Sequence, residues 1–177
     1  LLWEKTYLLS PSGSGAGYVS ETSDGGFIVM GDTGYSVGAK TIGSFILKIN
    51  GKGDSLWCRY FSQQSYIRLP AGIIPTNDKG YMQLEDIRPN GQQLSSNFIA
   101  TKTDSLGNKL WEKTYTGTGG SIIEIRDGYV IAGSIDYKEP WYTEWGSAMM
   151  LVIDKNGGII GLNKYKKRHG RQSLCRF

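Results

Sequence analysis

Apolar and polar residues alternate along most of this chain in short runs, and each run ends in a cluster of Gly, Asp and Asn. A period of two marks strands with one face buried, while no long segment shows the 3.6-residue period with caps that a helix requires. The expected fold is therefore all-β. Three cassettes recur in the same order. The first is a tight turn into an apolar strand: Asp24-Gly25-Gly26-Phe27-Ile28-Val29-Met30-Gly31, then Asp78-Lys79-Gly80-Tyr81-Met82-Gln83-Leu84, then Asp127-Gly128-Tyr129-Val130-Ile131-Ala132-Gly133. Weaker strands precede it at 16–22, 71–76 and 121–125. The second cassette is a β-rich strand, at 44–49, 97–103 and 148–153. The third is a turn with Asx first and Gly three residues later (Asn50-Gly51-Lys52-Gly53, Asp104-Ser105-Leu106-Gly107, Asp154-Lys155-Asn156-Gly157), which suits a type I turn closing in a left-handed glycine.

After each third cassette comes a further strand, and its landmark is tryptophan. Trp3, Trp57 and Trp111 stand 54 residues apart in Leu2-Trp3-Glu4-Lys5-Thr6-Tyr7, Leu56-Trp57-Cys58-Arg59-Tyr60-Phe61 and Leu110-Trp111-Glu112-Lys113-Thr114-Tyr115. A period of that length with four strands, a to d, per unit predicts an antiparallel meander repeated as β-propeller blades. The reading is thus a lone N-terminal d strand at 1–7 followed by three four-stranded units at 8–61, 62–116 and 117–167, thirteen strands in all. Residues 168–177 form a basic tail that repeats nothing. The third unit departs from the others, with Gly161 where they carry Trp.

These strings resemble the propeller repeats of secreted and surface proteins of bacteria, especially Bacteroidetes, and more loosely the quinoprotein-like (PQQ-type) Trp-docking blades. The resemblance spans roughly residues 1–165. It implies that Trp57 and Trp111 pack between neighbouring blades, and it implies a secreted or cell-surface location. About activity it says almost nothing, because such repeats serve as scaffolds for many tasks.

Composition narrows the picture further. The formal net charge of +4 owes much to Lys164, Lys166, Lys167, Arg168 and Arg171, so the body of the chain is close to neutral and gives little support to nucleic-acid binding. No apolar run reaches the roughly 18–20 residues that span a bilayer, and no signal-peptide pattern is visible. The 25 glycines and 11 tyrosines fit short strands and tight turns. Cys58 and Cys175 leave the redox compartment open. Three blades do not close a ring, since propellers use about 4–8. The chain is therefore expected to self-associate, with a homodimer giving six blades, or to belong to a longer propeller.

Candidate chemistry is sparse. His169 is the sole histidine, so neither a Ser/His/Asp set in a blade nor a His-rich metal site can be built, and the Asx turns lack the alternating acids of a calcium loop. No metal or cofactor is expected. Glu85-Asp86 and Glu139 with Glu144 read as solvated loop charges, and the b–c loops at 32–43 and 85–96 as ordinary polar loops. The b–c loop of the third unit differs, because Tyr137, Trp141, Tyr142 and Trp145 crowd large aromatics beside carboxylates. Such rings stack on sugars or anchor protein partners, or else fold down as a small core. The expected function is a non-enzymatic binding or scaffold module presenting its b–c loops to a glycan or protein. The alternatives are part of a propeller enzyme, either a glycoside hydrolase or a quinoprotein-like oxidoreductase, and a purely structural oligomerisation unit.

Overall fold

The computed structural model of the chain describes residues 3–10, 13–34, 43–62, 66–89, 97–135 and 146–165. Among these, the structure is all-β: twelve strands in three four-stranded antiparallel sheets. The first sheet runs β1 (Gly15–Glu21), β2 (Phe27–Asp32), β3 (Ser44–Ile49) and β4 (Ser55–Phe61). The second runs β5 (Tyr66–Pro75), β6 (Tyr81–Pro89), β7 (Asn97–Thr103) and β8 (Lys109–Thr116). The third runs β9 (Thr118–Ile125), β10 (Gly128–Ile135), β11 (Ser147–Asp154) and β12 (Ile159–Tyr165). In every sheet the spatial order equals the chain order, so each is a meander with its turns at alternate ends.

The turns follow from their side chains. Asn50, Asp104 and Asp154 each accept two backbone N–H groups through Oδ1, from Lys52 and Asp54, from Leu106 and Asn108, and from Asn156 and Gly158. These Asx bonds close the turns and leave Gly53, Gly107 and Gly157 at φ 79, 76 and 77°, where a Cβ is disfavoured.

The three sheets stack as propeller blades without closing a ring. β5 lies against β1 and β2, and β9 against β5 and β6, so the first strands converge while the fourth strands splay outward. The joint is repeated. The Trp57 ring covers the turn that opens β8, and the Trp111 indole donates to the Lys155 carbonyl in the turn before β12, at 3.0 Å. A Cβ placed on Gly107 or Gly157 would sit 2.7 or 3.0 Å from those rings. The same glycines thus serve the turn and the neighbouring tryptophan.

Residues 3–10 correct one expectation. They form no strand, so the described count is twelve rather than thirteen. A fourth strand ladders onto the third strand of its own sheet, and residues 3–10 share no ladder with any described strand. It is held on the first sheet by side chains instead. The Trp3 indole donates to Gly51 O (3.2 Å), the Tyr7 hydroxyl to Gly53 O (2.6 Å), and Lys5 pairs with Asp54 (3.0 Å). Tyr7 and Leu9 pack on Phe45, Leu47 and Ile49, and the Tyr60 hydroxyl donates to Leu9 O.

Candidate functional site

The ladder register puts equivalent positions of the three sheets side by side, and one face breaks the pattern. The face of the first sheet that meets residues 3–10 carries Val29, Gly31, Leu47, Ile49 and Cys58. The matching positions of the third sheet, facing the second, are Ile131, Gly133, Leu151, Ile153 and Leu162. In the second sheet, facing the first, they are Gln83, Glu85, Thr101, Thr103 and Glu112. A repeat that is apolar twice is polar once. The other core confirms how the apolar version packs: Met82, Leu84, Phe98 and Ala100 of the second sheet meet Tyr129, Ile131, Met149, Leu151 and Ile153 of the third.

At this polar junction the charges are buried. Arg68, on β5, reaches across the sheet: its guanidinium pairs with fully buried Glu85 on β6 and, at 3.0 Å, with Glu112 on β8. The Ser44 hydroxyl of the first sheet also donates to Glu85, and the Arg68 guanidinium lies 5.9 Å from the Phe61 ring centroid. Burial pushes the Glu85 carboxyl upward against the pull of Arg68. The guanidinium is itself penalised by burial, but the two carboxylates outweigh that and hold it above its ordinary value. Glu112, less enclosed, is held below its usual range by Arg68 in spite of partial burial. Gln83 lies beside this set, 1% exposed, and neither its Nε2 nor its Oε1 has a hydrogen-bond partner among the described residues.

An open cleft of about 410 Å³ lies at the outer edge of the same junction. Arg59, Tyr60 and Phe61 of β4 form one wall, Asn108 and Lys109 the other, with Arg68 on the floor. Its origin shows in the repeat. Tyr7 and Tyr115 each send a hydroxyl to the glycine carbonyl of the next turn, at Gly53 and Gly157 (2.6 and 2.8 Å). Phe61 holds the equivalent place before Gly107 and has no hydroxyl to send. Arg59 stacks over Trp57, 5.5 Å from its centroid, and Lys109 stands 3.6 Å from Glu112.

Towards the opposite face of the second sheet, Asp86 accepts the Gly119 N–H of β9 at 2.8 Å. Burial raises its carboxyl to about 6, with Gly119 and Arg88 opposing.

Glu85 and Asp86 are therefore not solvated loop charges. β6 continues to Pro89, which carries both into the sheet interior. Tyr137, Trp141, Tyr142 and Trp145 lie outside the described residues, as do Glu139, Glu144, His169, Cys175 and the basic tail. Cys58, half-buried, is a free thiol raised by its burial. Among the described residues no three of His, Cys, Asp and Glu gather as metal ligands would. Sequence alone does not join Arg68 and Glu112 to Glu85, although it carries one signal: Glu85 stands where the other units have Gly31 and Gly133. No protein-family model and no curated protein matches this chain.

Proposed function

We propose that the chain is a non-enzymatic binding or scaffold module of a secreted or cell-surface propeller, one that offers its b–c loops to a glycan or protein. The observation that carries this reading is the common direction of those loops. Because every sheet is a meander and all three stack in the same sense, the connections after β2, β6 and β10 leave from one end, together with the d–a connections. A face built from several loops on a rigid scaffold is a usual place for recognition. The tryptophans of the repeat support the reading differently: Trp57 and Trp111 are spent on blade docking, which leaves Trp141 and Trp145 as the aromatic pair outside the docking pattern. Tyr137 and Tyr142 share their loop, and the four together are the proposed ligand contacts.

Self-association belongs to the same proposal. The outer face of the third sheet exposes Ile123 and Tyr165, each more than half accessible, beside Val130, Met150 and Val152. A second copy is the expected cover, or further blades of a longer propeller.

A glycan array and a pull-down with the intact chain test the loop reading. Binding that disappears in Trp141→Ala/Trp145→Ala supports it. Binding unchanged in that variant removes the loop from the function.

A further inference from the structure

We propose that the cleft between β4 and the turn leading into β8 is a binding site for an oxyanion carried on a small polar body of about one sugar unit. The proposal does not depend on the loop reading. It starts from a cost. Burying Arg68 with Glu85 and Glu112 contributes little net stability, because desolvation of the charges offsets their attraction. The repeat also shows that a blade joint does not need them. Gly31 and Cys58 stand in place of Glu85 and Glu112 in the first sheet, and Gly133 and Leu162 in the third. The joint of the second and third sheets is apolar, whereas the joint of the first and second sets buried charges beside an apolar cluster of Ile28, Met30, Ile46, Phe61, Ile73 and Tyr81. With an open cleft against the charges, recognition accounts for the difference better than packing.

The cleft's sign selects the ligand. Arg59, Arg68 and Lys109 line it, and no carboxylate does. The nearby acids pair with two of these cations, Glu85 with Arg68 and Glu112 with Arg68 and, more loosely at 3.6 Å, with Lys109, so Arg59 is the lining cation without an ion pair among the described residues. Asp104, which feels the Arg59 charge, is turned into its own turn, where it accepts from the Leu106 and Asn108 amides and the Asn108 side chain. An arginine and a lysine at the rim can converge on carboxylate, sulfate or phosphate oxygens. The volume of about 410 Å³ exceeds what a bare oxyanion fills and falls within the usual range for small-molecule sites. Asn108 lines the cleft as well, and its side-chain amide can hydrogen-bond the rest of such a ligand.

Calorimetric titration of the intact chain with galacturonate, galactose 6-sulfate, galactose 6-phosphate, galactose and inorganic sulfate tests the proposal. At least one acidic sugar should bind, more weakly at higher salt, and the strongest of the three names the oxyanion. Galactose should not bind, and inorganic sulfate should bind more weakly than the best acidic sugar. Arg59→Gln/Lys109→Gln should weaken that binding by roughly tenfold or more. Phe61→Tyr should also weaken it, because the added hydroxyl reaches Gly107 as Tyr7 and Tyr115 reach their glycines, and so narrows the cleft. If the double variant does not fold, Phe61→Tyr decides. No binding by any acidic sugar, equal binding of galactose, sulfate binding as tight as the best sugar, or undiminished binding in the folded variants would each overturn the proposal.

Discussion

At the scale of residues, this chain separates the charges it solvates from those it encloses. Lys48 and Lys102 are both buried, and each Nζ pairs with an aspartate in the a–b turn of its own sheet, Asp24 or Asp78, at 3.0 Å. Thr22 and Thr76 donate to the same aspartates. For Asp24 these side-chain bonds, the threonine first, lower the carboxyl to about 2; for Asp78 they do so against opposing burial. A carboxyl lowered in the folded state adds stability above its unfolded pKa and loses it as pH falls through the folded value. Both turns should therefore weaken from about pH 4 to about pH 2. Asp86 acts in the opposite sense. Its carboxyl is raised to about 6, so its stabilising contribution is complete below its unfolded pKa and is lost as pH rises through 6. Asp86→Asn keeps an oxygen for the Gly119 amide and removes the buried charge. At pH 7 it should raise stability by about 1–2 kcal/mol, allowing for screening at a half-buried site. Denaturant unfolding at pH 4 and pH 7 checks this, and a gain of equal size at both pH values would show that the charge is not the cause.

Elements carry the repeat, and here the sequence was most readable. The turn residues and the tryptophan period point directly to four-stranded units because they are local: an Asx side chain closes its own turn, and alternation shows which face is buried. Strand ends were less readable. β5 begins at Tyr66, well before the apolar stretch from Ala71, because the ladder to β6 extends as far as Pro89 and incorporates a bulge between Pro70 and Gly72. The trio of Arg68, Glu85 and Glu112 is hidden from the sequence for a related reason. Its members come from three strands and meet only after β5, β6 and β8 are in register. The Trp joint leads to a prediction at this scale. Trp57 and Trp111 are partly buried, so Trp57→Ala and Trp111→Ala should each cost about 2–4 kcal/mol in equilibrium unfolding. Losses below about 0.5 kcal/mol at both positions would mean that the rings do not hold the blades together.

For the whole molecule, the two flanks are unlike. The first sheet meets residues 3–10, whereas the outward face of the third carries Gly161 in place of Trp and Val152 in place of the buried lysine. A blade cannot dock there through the joint used elsewhere. The proposed second copy would have to meet Ile123 and Tyr165 by another arrangement. Light scattering at micromolar concentration should report a dimer, and Ile123→Lys/Tyr165→Lys should return it to monomer mass. A parent chain that is monomeric and stays folded on dilution would end the self-association proposal. Residues 3–10 have a consequence of a different kind. The bonds that hold them run from the Trp3, Lys5 and Tyr7 side chains and from Tyr60, with no shared ladder. A segment fastened in this way should lift off while every sheet hydrogen bond stays in place, exposing Phe45, Leu47 and Ile49 but costing less than unfolding a blade. Its amides should exchange with solvent long before those of β2 and β3.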